Sequence, residues 1–171
     1  MEWFDLYNRQ GEKLNKQMPR GGQNNPGEYH LVVHIWIRNS QGAYLIQQRN
    51  KTTDRIPYNW GCTSGAVLTN ETSLNGAIRE TYEEIGVLLE PAELKRLKRY
   101  YIDDEVANYI TDVYLVNKEI DLDALSLDKN EVRAVKLASM KDIQQMIQKE
   151  TFWNYERLLE RTGYFALLEK S

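Results

Sequence analysis

From Tyr29 the chain alternates with a period of two: Leu31, Val33, Ile35 and Ile37 fall on one face, and His30, Val32, His34, Trp36 and Arg38 on the other. That period is a strand's, and the unbroken aliphatic face predicts one dry side. Upstream, "EWFDLYNRQGEKL" alternates and turns at Gly11, which predicts a short hairpin carrying the N-terminus onto a sheet. Between the two, residues 18–28 ("MPRGGQNNPGE") crowd Gly, Pro and Asn into a loop. Downstream, "NSQGAYLIQQRN" reads as a turn and a strand, and "KTTDRIPYNW" as a second loop around Pro57.

A helical period takes over at residue 73. Leu74, Ile78, Thr81 and Ile85 form one apolar stripe with Ala77 at its margin, Thr72 or Ser73 is the candidate N-cap, and Gly86 the C-cap. After Pro91 the strand pattern returns in "LKRYYI" and "NYITDVYLV", with "DDEVA" as a turn between them, and once more in "NEVRAVKLA". "SMKDIQQMIQKE" and "FWNYERLLERTGYFALLEK" close the chain as two helices. The second is rich in aromatic residues from Phe152 to Phe165, which predicts burial within the monomer, a subunit interface being the alternative. Strands and helices mix without regular βαβ alternation, so the expected fold is a mixed sheet flanked by helices.

Composition narrows the class. The 171 residues carry no internal repeat or linker, and one domain spanning residues 1–171 is expected. Hydrophobic residues at 42% and charged residues at 27% exclude a disordered or fibrous chain. The net charge of -3 and the lack of a basic stripe interleaved with aromatics argue against a nucleic-acid polymer as partner. "LKRLKRY" is the nearest basic cluster and reads as a solvated strand or turn. The single Cys62 cannot form an internal disulfide, the first residues lack a signal-peptide layout, and no apolar run approaches the ~18 residues that span a membrane. The expected compartment is the reducing cytoplasm. Oligomeric state is not legible.

"AIRETYEEIGV", residues 77–87, raises an electrostatic question. Glu80, Glu83 and Glu84 stand at i, i+3 and i+4, so their carboxylates share one sector of the helix and repel one another. Arg79 relieves part of that repulsion through Glu83 four residues on. Read backwards, Glu71 lies eight residues before Arg79 and Gly65 six before Glu71, while Gly86 and Val87 close the run. The arrangement resembles the signature of the Nudix hydrolases: glycine, five residues, glutamate, seven residues, then R-E-x-x-E-E-x-G-aliphatic. Seven fixed positions would coincide by chance with a probability on the order of 10⁻⁶ or less.

The resemblance implies a Nudix-like α/β/α sandwich with a mixed central sheet. It also implies a metal-dependent hydrolase that cleaves a diphosphate linkage in a small molecule, with a nucleoside diphosphate derivative as the favoured class. Convergent carboxylates suit Mg²⁺ or Mn²⁺, which favour oxygen ligands and bridge to phosphates. Glu80 and Glu84 are the first metal candidates, joined by Glu83, Ser64 and Glu71. Glu71 has a second possible role, anchoring Arg79, which the resemblance favours. Gly65 allows backbone to approach the metal. Two positions depart from the pattern: Thr81 stands where an aliphatic residue is usual, and Asn70 stands where glycine is frequent. Asn tolerates a left-handed backbone, so the turn is expected to survive.

A second resemblance, carried by "GEYHLVVHIWIRN", "LIQQRN", "IPYNW" and "NEV", is to the branch containing isopentenyl-diphosphate isomerase. Isomerisation is therefore the alternative activity, and His30 would be a metal-ligand position in it. Its catalytic cysteine and second metal histidine would fall at Ser64 and Ala66, and both are missing. Cys62 reads instead as a buried strand residue. A non-catalytic nucleotide-binding module is the other alternative. For the general base, Glu83 is the first choice and Glu131 the second, followed by Asp112 and by Asp103, Asp104 and Glu105. His30 and His34 read as structural. Trp36, Trp60, Tyr101 and Tyr109 are candidates to stack on a base.

Overall fold

The protein is described here by a computed structural model covering residues 1–50, 57–103, 108–158 and 163–171. The loop expected around Pro57 falls largely outside these residues, as do Asp104 and Glu105. In chain order the strands are β1 (Trp3–Tyr7), β2 (Lys13–Pro19), β3 (Tyr29–Arg38), β4 (Tyr44–Arg49), β5 (Trp60–Gly61), β6 (Thr63–Ala66), β7 (Lys95–Ile102), β8 (Tyr109–Asn117) and β9 (Val132–Ala138). The helices are α1 (Ser73–Ile85), α2 (Met140–Gln148), α3 (Tyr155–Leu158) and α4 (Tyr164–Glu169).

Among the described residues the strands form one mixed sheet. β3 pairs in parallel with β8 from His30 opposite Tyr109 to Arg38 opposite Asn117. Its other edge is shared by β1, β6 and β4 in turn, all antiparallel. A parallel pair of this kind is stable when both faces are covered. On one side Leu31, Val33, Ile35 and Ile37 pack with Ala77 and Ile85 of α1. On the other, Trp36 packs with Ile143, Phe152, Tyr155, Tyr164 and Phe165. The expectation of a single dry face on β3 is thus corrected: Trp36 is fully buried, because the C-terminal aromatics cover the second face. No helix among the described residues is long and apolar enough to cross a membrane.

Two boundaries differ from the sequence pattern. β2 runs on to Pro19, since Met18 pairs with Phe4 and is buried with it, so the loop starts later than residue 18. The C-terminal stretch is not one helix. Phe152 bridges to Trp60 as an extended residue, and Gly163 takes φ +65°, a left-handed conformation that no continuous helix accommodates. The rings of Phe152, Tyr155, Tyr164 and Phe165 are nevertheless buried inside the monomer, as expected, with Trp153 partly so.

The caps of α1 fall where the sequence places them. Thr72 Oγ1 accepts from Asn75 N at 3.1 Å, and Gly86 at φ +74° donates its N–H to Tyr82 O at 2.9 Å. The buried stripe, however, is rotated from the predicted one. Ala77, Thr81 and Ile85 are fully buried, while Leu74 and Ile78 are only partly so. Small residues pack closely on the chain just after β6: a Cβ on Gly76 would stand 3.0 Å from Val67 Cγ2. That close approach turns Glu80 and Glu84 inward, toward β6. Thr81 fits its apolar site by donating its hydroxyl to Ala77 O at 2.7 Å.

Candidate active site

β6 delivers Ser64, Gly65 and Ala66 to the edge of β3, opposite His34, Val33 and Val32. The chain then turns through Asn70, which adopts φ +64° and donates its N–H to Asp5 Oδ2 at 2.8 Å. The turn survives without glycine, as expected, because asparagine tolerates this conformation. It returns the chain to α1, whose first carboxylate, Glu80, lies directly against Gly65. A Cβ built on Gly65 would stand 1.9 Å from Glu80 Cδ, so only glycine leaves room for the carboxylate where it is.

Arg79 is locked from all sides. Nε and Nη2 grip Glu71 Oε1 and Oε2 at 2.9 Å each, Nη2 also reaches Ala66 O at 2.9 Å, and Nη1 bonds Glu80 Oε1 at 2.8 Å and Glu83 Oε2 at 3.0 Å. These bonds use every N–H a guanidinium has. Burial opposes the charge of Arg79, but its bonds to Glu71 and the Glu80 and Glu83 carboxylates outweigh it and hold the group cationic. Glu71 grips Arg79 at two points, its Oε2 also accepts from Leu68 N at 3.0 Å, and it does not line the cleft.

Glu84 is the most perturbed carboxyl of the group. It is 8% exposed, as is Glu80, and burial pushes its pKa up to about 8. Gln47, donating to Glu84 Oε2 at 2.7 Å, pulls it down in part, while the charges of Glu80 and Glu131 push it further up. Gln47 is oriented in turn by the Thr63 hydroxyl at 2.9 Å. Burial likewise raises Glu80, against the opposing charge of Arg79. Glu83 points outward, with its side chain 56% exposed, and touches the site through Arg79. The three glutamates of α1 thus split: two form the floor and one the rim.

The open side is a cleft of about 540 Å³. Ser64, Arg79, Glu80, Glu83, Glu84 and Glu131 all line it, together with Glu2, Arg20, Arg49 and Asp128, which sequence reasoning did not single out. Glu131 and Asp128 reach it because Asp128 N bonds Glu84 O at 3.0 Å and Ser126 N bonds Ile85 O at 3.2 Å, tying the segment before β9 to the end of α1. The other described base candidates fall elsewhere. Asp112 is fully buried under Arg99, in a two-point ion pair at 2.7 Å, and Asp103 pairs with Arg9 and Tyr29. Neither lines the cleft.

Neither histidine lines the cleft. His30 is stacked on Phe4 and burial lowers its pKa to about 4; His34 lies 2.9 Å from Tyr164 Oη, with its pKa lowered by burial to about 3. Of the stacking candidates, Trp36 is core, Trp60 lies under Lys136 and Tyr101 meets Tyr29 edge-on. Tyr109 is tilted against His30, and none of the four lines the cleft. Cys62 is buried, its Sγ lies 3.2 Å from Tyr155 Oη, and burial pushes its thiol up to about 12.

The sequence profile of the NUDIX domain matches residues 28–160. The chain belongs to the NUDIX family. It is 31% identical over 156 residues to an uncharacterized Nudix hydrolase of Listeria monocytogenes, a match that covers 91% of this chain and 90% of the relative. A crystal structure from Deinococcus radiodurans superposes with a TM-score of 0.71 over 99% of this chain and 98% of the other, at 20% identity. A bifunctional NMN adenylyltransferase/ADP ribose pyrophosphatase from Francisella tularensis, solved with AMP and a manganese ion, gives a TM-score of 0.60 at 16% identity. That likeness covers 81% of this chain and 42% of the other. The protein is accordingly a Nudix-type pyrophosphohydrolase, and its signature occupies the floor of the cleft just described.

Proposed function

We propose that the protein hydrolyses the diphosphate linkage of a nucleoside diphosphate derivative, with Mg²⁺ or Mn²⁺ held by Glu80 and Glu84. The observation that carries this reading is the pair of buried carboxylates facing an open cleft, with Glu84 pushed up to about 8. Buried charges of one sign need a counter-charge. The pair suits Mg²⁺, which binds through one or two carboxylates and completes its shell with water and substrate phosphate. The all-oxygen donors fit the same ion.

Once bound, the ion supplies a Lewis acid for a phosphoryl oxygen and lowers the pKa of a water for attack on phosphorus. The chain's own residues do the rest. Arg79, fixed by Glu71, holds Glu80 against Gly65 and keeps Glu83 at the rim. Gln47 orients Glu84. A carboxylate oxygen of Glu131 takes the proton from the attacking water. Glu83, at the exposed rim of the same cleft, is the other candidate for that role. Ser64 lines the cleft beside Gly65 and is a further oxygen donor. The products are a phosphate monoester and a second phosphate-bearing fragment.

The finer resemblance to the isomerase-like branch does not make isomerisation the better reading. Ser64 and Ala66 occupy its two key positions, and the buried Cys62 thiol is held neutral. A purely binding module is disfavoured because every signature carboxylate is present. The test is release of phosphate or nucleoside monophosphate across a library of diphosphates, with Mg²⁺, with Mn²⁺ and with a chelator. Turnover of at least one nucleoside diphosphate derivative that stops on chelation is expected. Turnover insensitive to chelation, or activity on isopentenyl diphosphate alone, would contradict the proposal.

A further inference from the structure

The hairpin of β1 and β2 lies outside the residues matched by the family profile, yet it contributes two opposite charges to the cleft wall. The ladder pairs Trp3 with Pro19, so Glu2 and Arg20 form the next rung, and Arg20 N donates to Glu2 O at 2.9 Å. Their side chains also pair, Arg20 Nε with Glu2 Oε2. Both ends of this pair are about half exposed, where an ion pair contributes little and exchanges easily.

We propose that Arg20 exchanges Glu2 for the substrate's diphosphate, which makes the N-terminal hairpin one wall of the phosphate subsite. The inference rests on the diphosphate reading above and names a phosphate-binding residue for it. Donor accounting favours Arg20 over Arg79. Arg79 has its N–H groups committed within the signature, whereas Arg20 uses Nε on Glu2 and its Nη groups make no hydrogen bond among the described residues. A planar guanidinium fork with open donors matches phosphate oxygens in two-point fashion. Phe4 holds the group in place, with Arg20 Cζ 5.7 Å from its ring centroid. Arg20 also acts electrostatically on Glu80, so its charge reaches the floor of the same cleft. Glu2 has the complementary role: it neutralises Arg20 in the resting protein and competes with the incoming anion.

The experiment uses imidodiphosphate, a hydrolysis-resistant diphosphate, and reads its Kd calorimetrically with Mg²⁺ present. Arg20→Gln is expected to weaken binding about tenfold, the loss of one charge-assisted contact. Arg20→Lys recovers part of that loss, and Glu2→Gln tightens binding because Arg20 no longer has a competing partner. A purely structural ion pair would move both neutralising variants the same way. An unchanged Kd in Arg20→Gln overturns the inference, as does a shift of Arg20→Gln and Glu2→Gln in one direction, or no binding to the wild type. Metal-dependent hydrolysis that persists alongside any of these results leaves the proposed function standing, so the two failures are distinguishable.

Discussion

Glu84→Gln is expected to lower kcat by roughly 10³-fold, because it removes one of the two buried carboxylates proposed to hold the ion while keeping the side chain's shape. The amide oxygen still accepts from Gln47, so the fold should stand. The same variant should alter the pH dependence of stability in metal-free protein. Glu84 has a folded pKa of about 8, above its ordinary 4.5. A carboxyl raised in this way favours the folded state fully below about pH 4.5, and that contribution is lost as pH rises to about 8. The wild type should therefore become less stable across this window, by roughly 2–4 kcal/mol, and Glu84→Gln should flatten the slope. Chemical denaturation at pH 5 and pH 8 in a chelator checks it. A parallel slope in both proteins would show that Glu84 is not the titrating group.

Gly65→Ala separates the site from the fold. Gly65 lies in β6 without a positive φ, so alanine is compatible with the backbone. Its methyl would nevertheless stand 1.9 Å from Glu80 Cδ and 2.1 Å from Oε1. The atoms that must move belong to the end of a flexible side chain, so Glu80 swings away and the sheet stays. The expected outcome is a loss in kcat of about 10²-fold or more, with a thermal midpoint within a few degrees of wild type. Wild-type turnover in this variant would mean that the Glu80 carboxylate has no fixed task at that position.

How far the site was legible depends on how local its causes are. The helix, its caps and the spacing of its glutamates are written in consecutive residues, and Thr72 and Gly86 act where the sequence places them. The direction of each glutamate was not written there. It follows from the buried face of α1, which runs through Gly76, Ala77, Thr81 and Ile85 and takes in Glu80 and Glu84 while leaving Glu83 outside. Asp112 looked like one more candidate base, and only the pairing of β7 with β8 shows it beneath Arg99. Arg20 gave no signal at all in its glycine-rich loop; a cross-strand partner at Glu2 brings it to the cleft. Gly163 could have warned that the C-terminal aromatics do not form one helix, since a left-handed glycine ends or interrupts such a run.

The central claim is that Glu80 and Glu84, set against Gly65, form a divalent-cation site. Titration of Mn²⁺ into the protein, followed by the electron paramagnetic resonance signal of the free ion, measures it without any assumption about substrate. Wild-type protein should deplete the free-ion signal, while Glu84→Gln and Gly65→Ala should each bind at least about tenfold more weakly. Equal depletion by all three proteins would contradict the account.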